Sequence, residues 1–217
     1  MALKKDLSKT KEVVIRSAVK LFNMKGYDGT SVRAIADEAG VNVALVSYYF
    51  GGKKGLLEYL MSSFFEGYIE TLENTIACSQ EAERAVSERL LDIADALIAY
   101  QQQSFYLSRF VHREMTMDTM LIRELMASYL MKEKFLLENV FQDALEESGA
   151  SLPLDLLTIQ FREMVIMPFL QPQYLRKVYF MQPSEVYFRR HYLRYIEHWA
   201  NRLFLRKEKE PLGRLVL

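Results

Sequence analysis

Residues 26–57 read GYDGTSVRAIADEAGVNVALVSYYFGGKKGLL, and the fold is decided in this stretch. Six of the chain's nine glycines (Gly26, Gly29, Gly40, Gly51, Gly52 and Gly55) lie inside it, so it is cut into short elements. Ser31 is a capping residue ahead of a helical run over about 32–39, in which Val32, Ile35, Ala36 and Ala39 share one face. Gly40 supplies the left-handed backbone that ends that run. Asn42 caps a second short helix, about 43–50, which Gly51-Gly52 terminates. Two short helices joined through Ala39-Gly40-Val41-Asn42 form a helix-turn-helix pattern. The second is short enough for its N-terminal side chains to reach base edges in a DNA major groove.

Outward from this stretch the chain reads as all-α. A helix is expected over about 8–25, with Val14, Ala18, Leu21 and Phe22 inward and Gly26 as its stop. Between Leu56 and Gly149 there is only Gly67 and no proline, which predicts long helices. These are placed at about 53–77, 82–102, 104–114 and 118–147. Pro153 suits the first turn of a helix reaching about residue 170; a short piece follows Pro172, and a last helix spans about 183–206. No strand alternation or repeat persists. The organisation expected is a head at residues 1–52 and a larger helical body at 53–217.

Composition narrows the function. In 217 residues, half are hydrophobic and 26% are charged, which excludes a wholly disordered chain. The single cysteine, Cys78, excludes an intramolecular disulfide and an all-cysteine metal site. Net charge is zero, yet residues 1–60 hold ten basic and six acidic residues, a surplus of four balanced by the rest. A basic head on an acidic body points to a polyanionic partner for the head. No signal-peptide core and no membrane-length apolar run is present, so a soluble cytoplasmic protein is expected, and DNA binding by the head would place it on the nucleoid.

The outward face of the second short helix is expected to carry Val43, Ala44, Leu45, Ser47 and Tyr48, small or apolar groups suited to thymine methyls and a few hydrogen bonds. Tyr48 and Tyr49 can reach phosphate oxygens. Lys53 adds charge at a helix start where backbone amides already favour an anion. Ser31 and Arg33 open the helix that crosses the backbone. Catalysis has little support. His112, His191 and His198 lack the H-E-x-x-H spacing, and Gly51-Gly52-Lys53-Lys54-Gly55 lacks the spacing and preceding strand of a phosphate loop. No metal or cofactor is expected.

The run Gly26 to Ala36, then Ala39-Gly40-Val41-Asn42, Tyr48-Tyr49-Phe50 and Lys53-x-x-Leu56-Leu57, resembles the DNA-binding domain of TetR-family regulators over roughly residues 8–60. The resemblance implies a homodimer whose two heads read a roughly palindromic duplex site. By position it places Ser31, Arg33, Ala44, Tyr48, Tyr49 and Lys53 on DNA, and Val41, Val46 and Phe50 in the packing of the head. The usual Leu-Tyr-x-Tyr-Phe is here Val46-Ser47-Tyr48-Tyr49-Phe50, an unusual reading surface. Val43-Ala44, Ser128–Lys134, Met167–Tyr174 and Met181-Gln182-Pro183 add a narrower resemblance. It is to DNA-bound division regulators of spore-forming relatives of Bacillus, and it implies action on FtsZ ring assembly as sporulation begins.

In the body, the last helix carries an apolar arc around Phe188, Tyr192, Leu193, Tyr195, Ile196, Trp199, Ala200, Leu203 and Phe204, about half its circumference. The helix ending near residue 170 is apolar nearly all round, with Leu157, Phe161, Met164, Val165 and Ile166. A dimer interface is expected on Leu157, Phe161, Val165, Tyr192, Ile196, Trp199, Ala200 and Leu203. The alternative is that both helices are central to one protomer. Met115, Met117, Met120, Met126, Met131, Met164 and Met167 can line an adaptable ligand cavity or simply fill the core. Arg109, His112, Arg113, Glu114, Arg123 and Glu124 can form a partner surface, for FtsZ, or a solvated face. Three functions compete: a DNA-bound division regulator, a ligand-responsive repressor, and a helical interaction module with no DNA role.

Overall fold

The computed structural model describes residues 2–82 and 84–204, and the side chains from residue 9 onward. Ten helices follow one another: α1 (Ala2–Lys25), α2 (Val32–Ala39), α3 (Val43–Phe50), α4 (Lys53–Glu81), α5 (Val86–Gln103), α6 (Phe105–Thr116), α7 (Met120–Ser148), α8 (Leu154–Leu170), α9 (Pro172–Val178) and α10 (Val186–Phe204). No strand occurs among the described residues. The all-α reading holds, with shifts in boundary: α4 runs on to Glu81 and α10 starts at Val186. Helix α1 begins earlier than expected. The break between α4 and α5 falls at 82–85, where no glycine or proline marks it, so the helix expected from residue 82 starts instead at Val86. The expected end of the last helix near Arg206 lies outside the described residues.

The head packs α1, α2 and α3 around Val14, Ala18, Phe22, Ile35, Ala36, Val46 and Phe50, all buried. Leu56 and Leu57, on the first turn of α4, close this small core. The body continues the same cluster along α4 through Phe64, Phe65 and Tyr68. Facing them are Leu90, Ile93 and Leu97 of α5, Phe141 of α7 and Phe161 of α8. Gly67 lets α4 and α5 approach closely: a Cβ there would lie 2.5 Å from the Tyr100 hydroxyl. That hydroxyl donates to the Phe64 carbonyl at 2.8 Å.

Head and body meet in two places: the first turns of α4 pack on the head core, with Tyr59 against Phe50 and Lys11, and the end of α1 docks on α6. Phe22 of α1 stacks on Phe110 of α6 with ring centroids 5.0 Å apart, and both rings are fully buried. Around them, Asn23 Nδ2 donates to the Tyr106 carbonyl at 2.8 Å and an Arg113 Nη donates to the Phe22 carbonyl at 2.8 Å. The C-terminal end of α1 is therefore held to α6 by one aromatic stack and two polar ties.

Most residues of the expected dimer interface lie inside the protomer. Leu157, Phe161, Val165, Ile196 and Ala200 are buried inside the protomer itself, and Tyr192, Trp199 and Leu203 are half-buried. Helix α8 is apolar on most sides because α5, α6 and α7 all pack against it. Helix α10 lies on α5, and the Tyr192 hydroxyl donates to the Met164 carbonyl at 2.9 Å. Trp199 lies against Phe161 and Phe141 within the same chain. The exposed large apolar groups of these two helices are instead Leu156, Ile159, Val186, Tyr187 and Tyr195. The methionines do not line one cavity either: Met126 is buried, while Met117, Met120 and Met131 are exposed.

The joint gives a stability test. Replacing Phe110 with Ala removes a fully buried ring from both cores at once. The expected cost is about 3–5 kcal/mol, read as a lower denaturant midpoint in equilibrium unfolding followed by circular dichroism.

Candidate nucleic-acid interface

The turn between α2 and α3 is built as its residues demand. The Ser31 side chain accepts from the Ala34 amide at 3.1 Å, starting α2. At the far end Gly40 sits at φ 67°, in the left-handed region. The Gly40 amide donates to Asp37 at 3.2 Å and the Val41 amide to Ala36 at 3.0 Å, the paired C-terminal bonds of a Schellman motif. Asn42 Oδ1 then accepts from the Ala44 amide at 2.9 Å, starting α3. Gly51, at φ 69°, ends α3 with its amide on the Ser47 carbonyl at 2.8 Å.

Val46 and Phe50 are buried, which fixes the rotation of α3 about its axis. Val43, Ala44, Ser47 and Tyr48 are turned to solvent, Tyr48 with 78% of its surface exposed. Asn42, Ser31 and Arg33 are exposed beside them, and Leu45 is half-buried. Of the ten expected DNA-facing residues, seven are thus exposed, and Leu45, Tyr49 and Lys53 are half-buried. The face carries no charge on α3 itself; its cation is Arg33 on α2.

Two expected contacts are placed differently. The Tyr49 hydroxyl is buried and has no hydrogen-bond partner among the described residues, so it does not present itself to a phosphate. Its ring lies between those of Tyr48 and Phe50. A helical wheel through Val46 and Phe50 already places Tyr49 on their flank and Tyr48 opposite, a signal present in the spacing. Lys53 is half-buried: its ammonium donates to the Tyr27 carbonyl at 3.0 Å and lies 4.3 Å from the Tyr27 ring centroid. It braces the head, leaving two of its donors. The residue overlooked is Lys54, one position on, whose side chain is 70% exposed at the start of α4. Gly52 provides no side-chain cap there, so the first amides of α4 are open to an anion.

The expected partner surface does not form one exposed face. His112 and Glu114 are buried, and Arg113 is drawn to Glu114 and to the Phe22 carbonyl. Arg123 and Glu124 are exposed at the start of α7, where Arg123 pairs with Asp118. His112 belongs to a polar knot inside the body. Its Nε2 lies 2.7 Å from Gln101 Oε1, which also accepts from Ser108 Oγ at 3.3 Å. Gln101 Nε2 donates to the Leu97 and Val165 carbonyls, both at 3.2 Å. Since Gln101 Oε1 can only accept, His112 Nε2 carries a proton. Burial, with the Arg162 charge adding to it, pushes the His112 pKa down to about 3. Nearby, Arg162 Nε donates to the buried Glu133 carboxylate at 2.8 Å. Among the described residues no group of three or more His, Cys, Asp or Glu is arranged to hold a metal, and no helix is long and apolar enough to cross a membrane.

The profile described as "Bacterial regulatory proteins, tetR family" matches residues 14–60. The chain is similar to the probable HTH-type transcriptional regulator YttP of Bacillus subtilis (strain 168), with 45% identity over 196 residues, covering 90% of this chain and 94% of that one. Among solved structures it resembles the TetR family transcriptional regulator PfmR from Thermus thermophilus. The TM-score is 0.68 at 17% identity, over 90% of this chain and 99% of that one. It also resembles the transcriptional regulator FadR from Bacillus subtilis, solved in complex with stearoyl-CoA, with a TM-score of 0.64 at 17% identity, over 86% and 97% of the two chains. At these identities the two structures speak for the fold.

The polar knot has a pH signature. A histidine with a depressed folded pKa adds full stability above its unfolded value, near 6.5, and loses it as pH falls toward about 3. Unfolding free energy should therefore drop by about 2 kcal/mol between pH 7 and pH 5 from this group. In His112→Gln that segment of the stability–pH curve should flatten, measured by urea titration at each pH.

Proposed function

This chain belongs to the TetR family of bacterial transcriptional regulators, and from that premise we propose a sequence-specific DNA-binding homodimer of the RefZ-like kind. In this reading, residues 1–52 are the DNA-binding head and residues 53–217 the dimerisation and regulatory body. The observation that carries it is the exposed face Val43, Ala44, Ser47 and Tyr48 on a helix whose other side is locked by Val46 and Phe50. Arg33, Lys54 and the hydroxyl proton of Ser31 take phosphates and set the register. Val43 and Ala44 meet thymine methyls, while Ser47 and Tyr48 supply hydrogen bonds. The two chains pair through the outward faces of α8 and α10, on Leu156, Ile159, Tyr187 and Tyr195. The body then modulates FtsZ ring assembly at the onset of sporulation, a reading supported by the segments Ser128–Lys134 and Met167–Tyr174. Arg123 and Glu124 are the exposed remnant of the partner surface. The protein works on the nucleoid and is not an enzyme.

A second reading is a ligand-responsive repressor. It is favoured by a crevice of about 750 Å³ between head and body and by the stearoyl-CoA complex of the FadR structure. Immunoprecipitation of the bound chromosome separates the two. Clusters of sites around the replication origin, with an effect of the DNA-bound protein on FtsZ assembly, support the division reading. A single site beside its own or a neighbouring gene supports the repressor. Failure to bind any duplex leaves a helical interaction module.

On a bound fragment, log affinity against log salt should fall with a slope of about −4, the value for four neutralised phosphates. Arg33→Ala should flatten the slope by about 2, one contact per head, with little change in preference among sequences. Tyr48→Ala should lose about 1–3 kcal/mol and relax preference at its base. A salt-insensitive affinity contradicts the head orientation. In sedimentation, Leu156→Glu with Ile159→Glu should convert the dimer into a 25.4 kDa monomer.

A further inference from the structure

The crevice at the joint has a composition that selects its occupant. One wall is α1, where Ile15 and Val19 lie one turn apart and Met24 stands at the C-terminal end. The other is the start of α6, with Phe105, Tyr106 and Leu107. The lining is mainly apolar, and its volume of about 750 Å³ falls in the range of small-molecule sites. Its cations are unequally occupied. Lys20 is paired with Glu38 at 2.6 Å, whereas Arg16 and Arg109 have no carboxylate within salt-bridge distance among the described residues. Arg109 is half-buried, and its charged neighbours are two further guanidiniums, Arg113 and Arg176. Burial and these like charges pull its pKa down. Arg109 also borders a second crevice of about 320 Å³, shared with Arg113, Gln171, Gln173 and Tyr174.

We propose that this crevice binds a single-chain anionic amphiphile, with its carboxylate or phosphate head group on Arg109 and its alkyl chain along Val19, Met24 and Phe105. The inference rests on the ligand-responsive reading and names its site and ligand class. A half-buried guanidinium among like charges is costly, and an oxyanion offsets that cost through charge-assisted bonds. A bare anion would leave the apolar walls in water, and a neutral chain would leave Arg109 unpaired. The walls belong to the head on one side and the body on the other, so occupancy biases the angle of α1 against α6. Binding of the amphiphile and of DNA is then coupled reciprocally.

The test uses the full-length protein and dodecanoate below its micelle concentration, followed by calorimetry, with dodecyl phosphate, dodecanol, inorganic phosphate and phosphatidylglycerol vesicles as the other arms. Expected are one dodecanoate or dodecyl phosphate per chain, about tenfold tighter than dodecanol, with no heat from inorganic phosphate. Arg109→Gln should weaken dodecanoate about tenfold, and Val19→Trp, which fills the crevice, should abolish its binding. Equal affinity for dodecanol, binding unchanged in both variants, or binding to vesicles alone overturns the proposal. Gel shifts without amphiphile on the same samples separate the causes. Intact DNA binding with no amphiphile bound sinks the crevice alone, whereas loss of DNA binding in the wild-type protein sinks the regulator reading beneath it.

Discussion

An eight-residue helix does not hold itself in water, where isolated helices need about 12–15 residues to be even marginally stable. Helix α3 exists because Asn42 and Gly51 satisfy its ends and because Val46 and Phe50 are buried against the rest of the head. Those two side chains also set its rotation. With them inside, Ala44, Ser47 and Tyr48 are turned outward, and Val43 is exposed at the helix start. The reading surface is thus a by-product of a packing constraint, and the Schellman turn at Gly40 fixes the angle at which α2 delivers it.

Much of this head could be read from spacing alone, since caps, stops and inward faces are local. Ser31, Gly40 and Asn42 each act within a few residues of themselves. Lys53 could not be read, because its partner, the Tyr27 carbonyl, lies 26 residues away and meets it only in the folded head. Tyr49 is a different case: its neighbour Tyr48 is about 100° away on the wheel, and the inward pair Val46 and Phe50 distinguishes the two. In the body the difficulty was of another kind. A wide apolar arc on α8 and α10 is equally the mark of a dimer seam and of a helix surrounded by its own chain. Here α5, α6 and α7 cover most of it. The α4–α5 break left no glycine or proline to find, and the knot of Gln101, Ser108, His112 and the Val165 carbonyl needs three helices, α5, α6 and α8, to assemble.

Besides the packing of α4 on the head core, head and body are linked by the joint between α1 and α6. Phe22 on Phe110 supplies apolar burial, while Asn23 and Arg113 tie α1 to α6 through backbone carbonyl groups on either side of it. The body behind it is stiffened by a neutral polar knot and a buried Arg162–Glu133 pair, both of which lose heavily if a partner is removed. Because α1 packs on α6 while α3 packs on α4, a shift of α6 against α4 would be passed to the head.

In the proposed dimer, two such heads, held apart by a shared body, grip successive turns of one face of the double helix. Hydroxyl-radical footprinting on a chromosomal fragment recovered by immunoprecipitation measures this most directly. Two protected patches of equal size are expected, related by a two-fold axis and separated by about 34 Å or a multiple of it. A single unpaired patch, or protection spread without periodicity along the fragment, would contradict the paired-head arrangement.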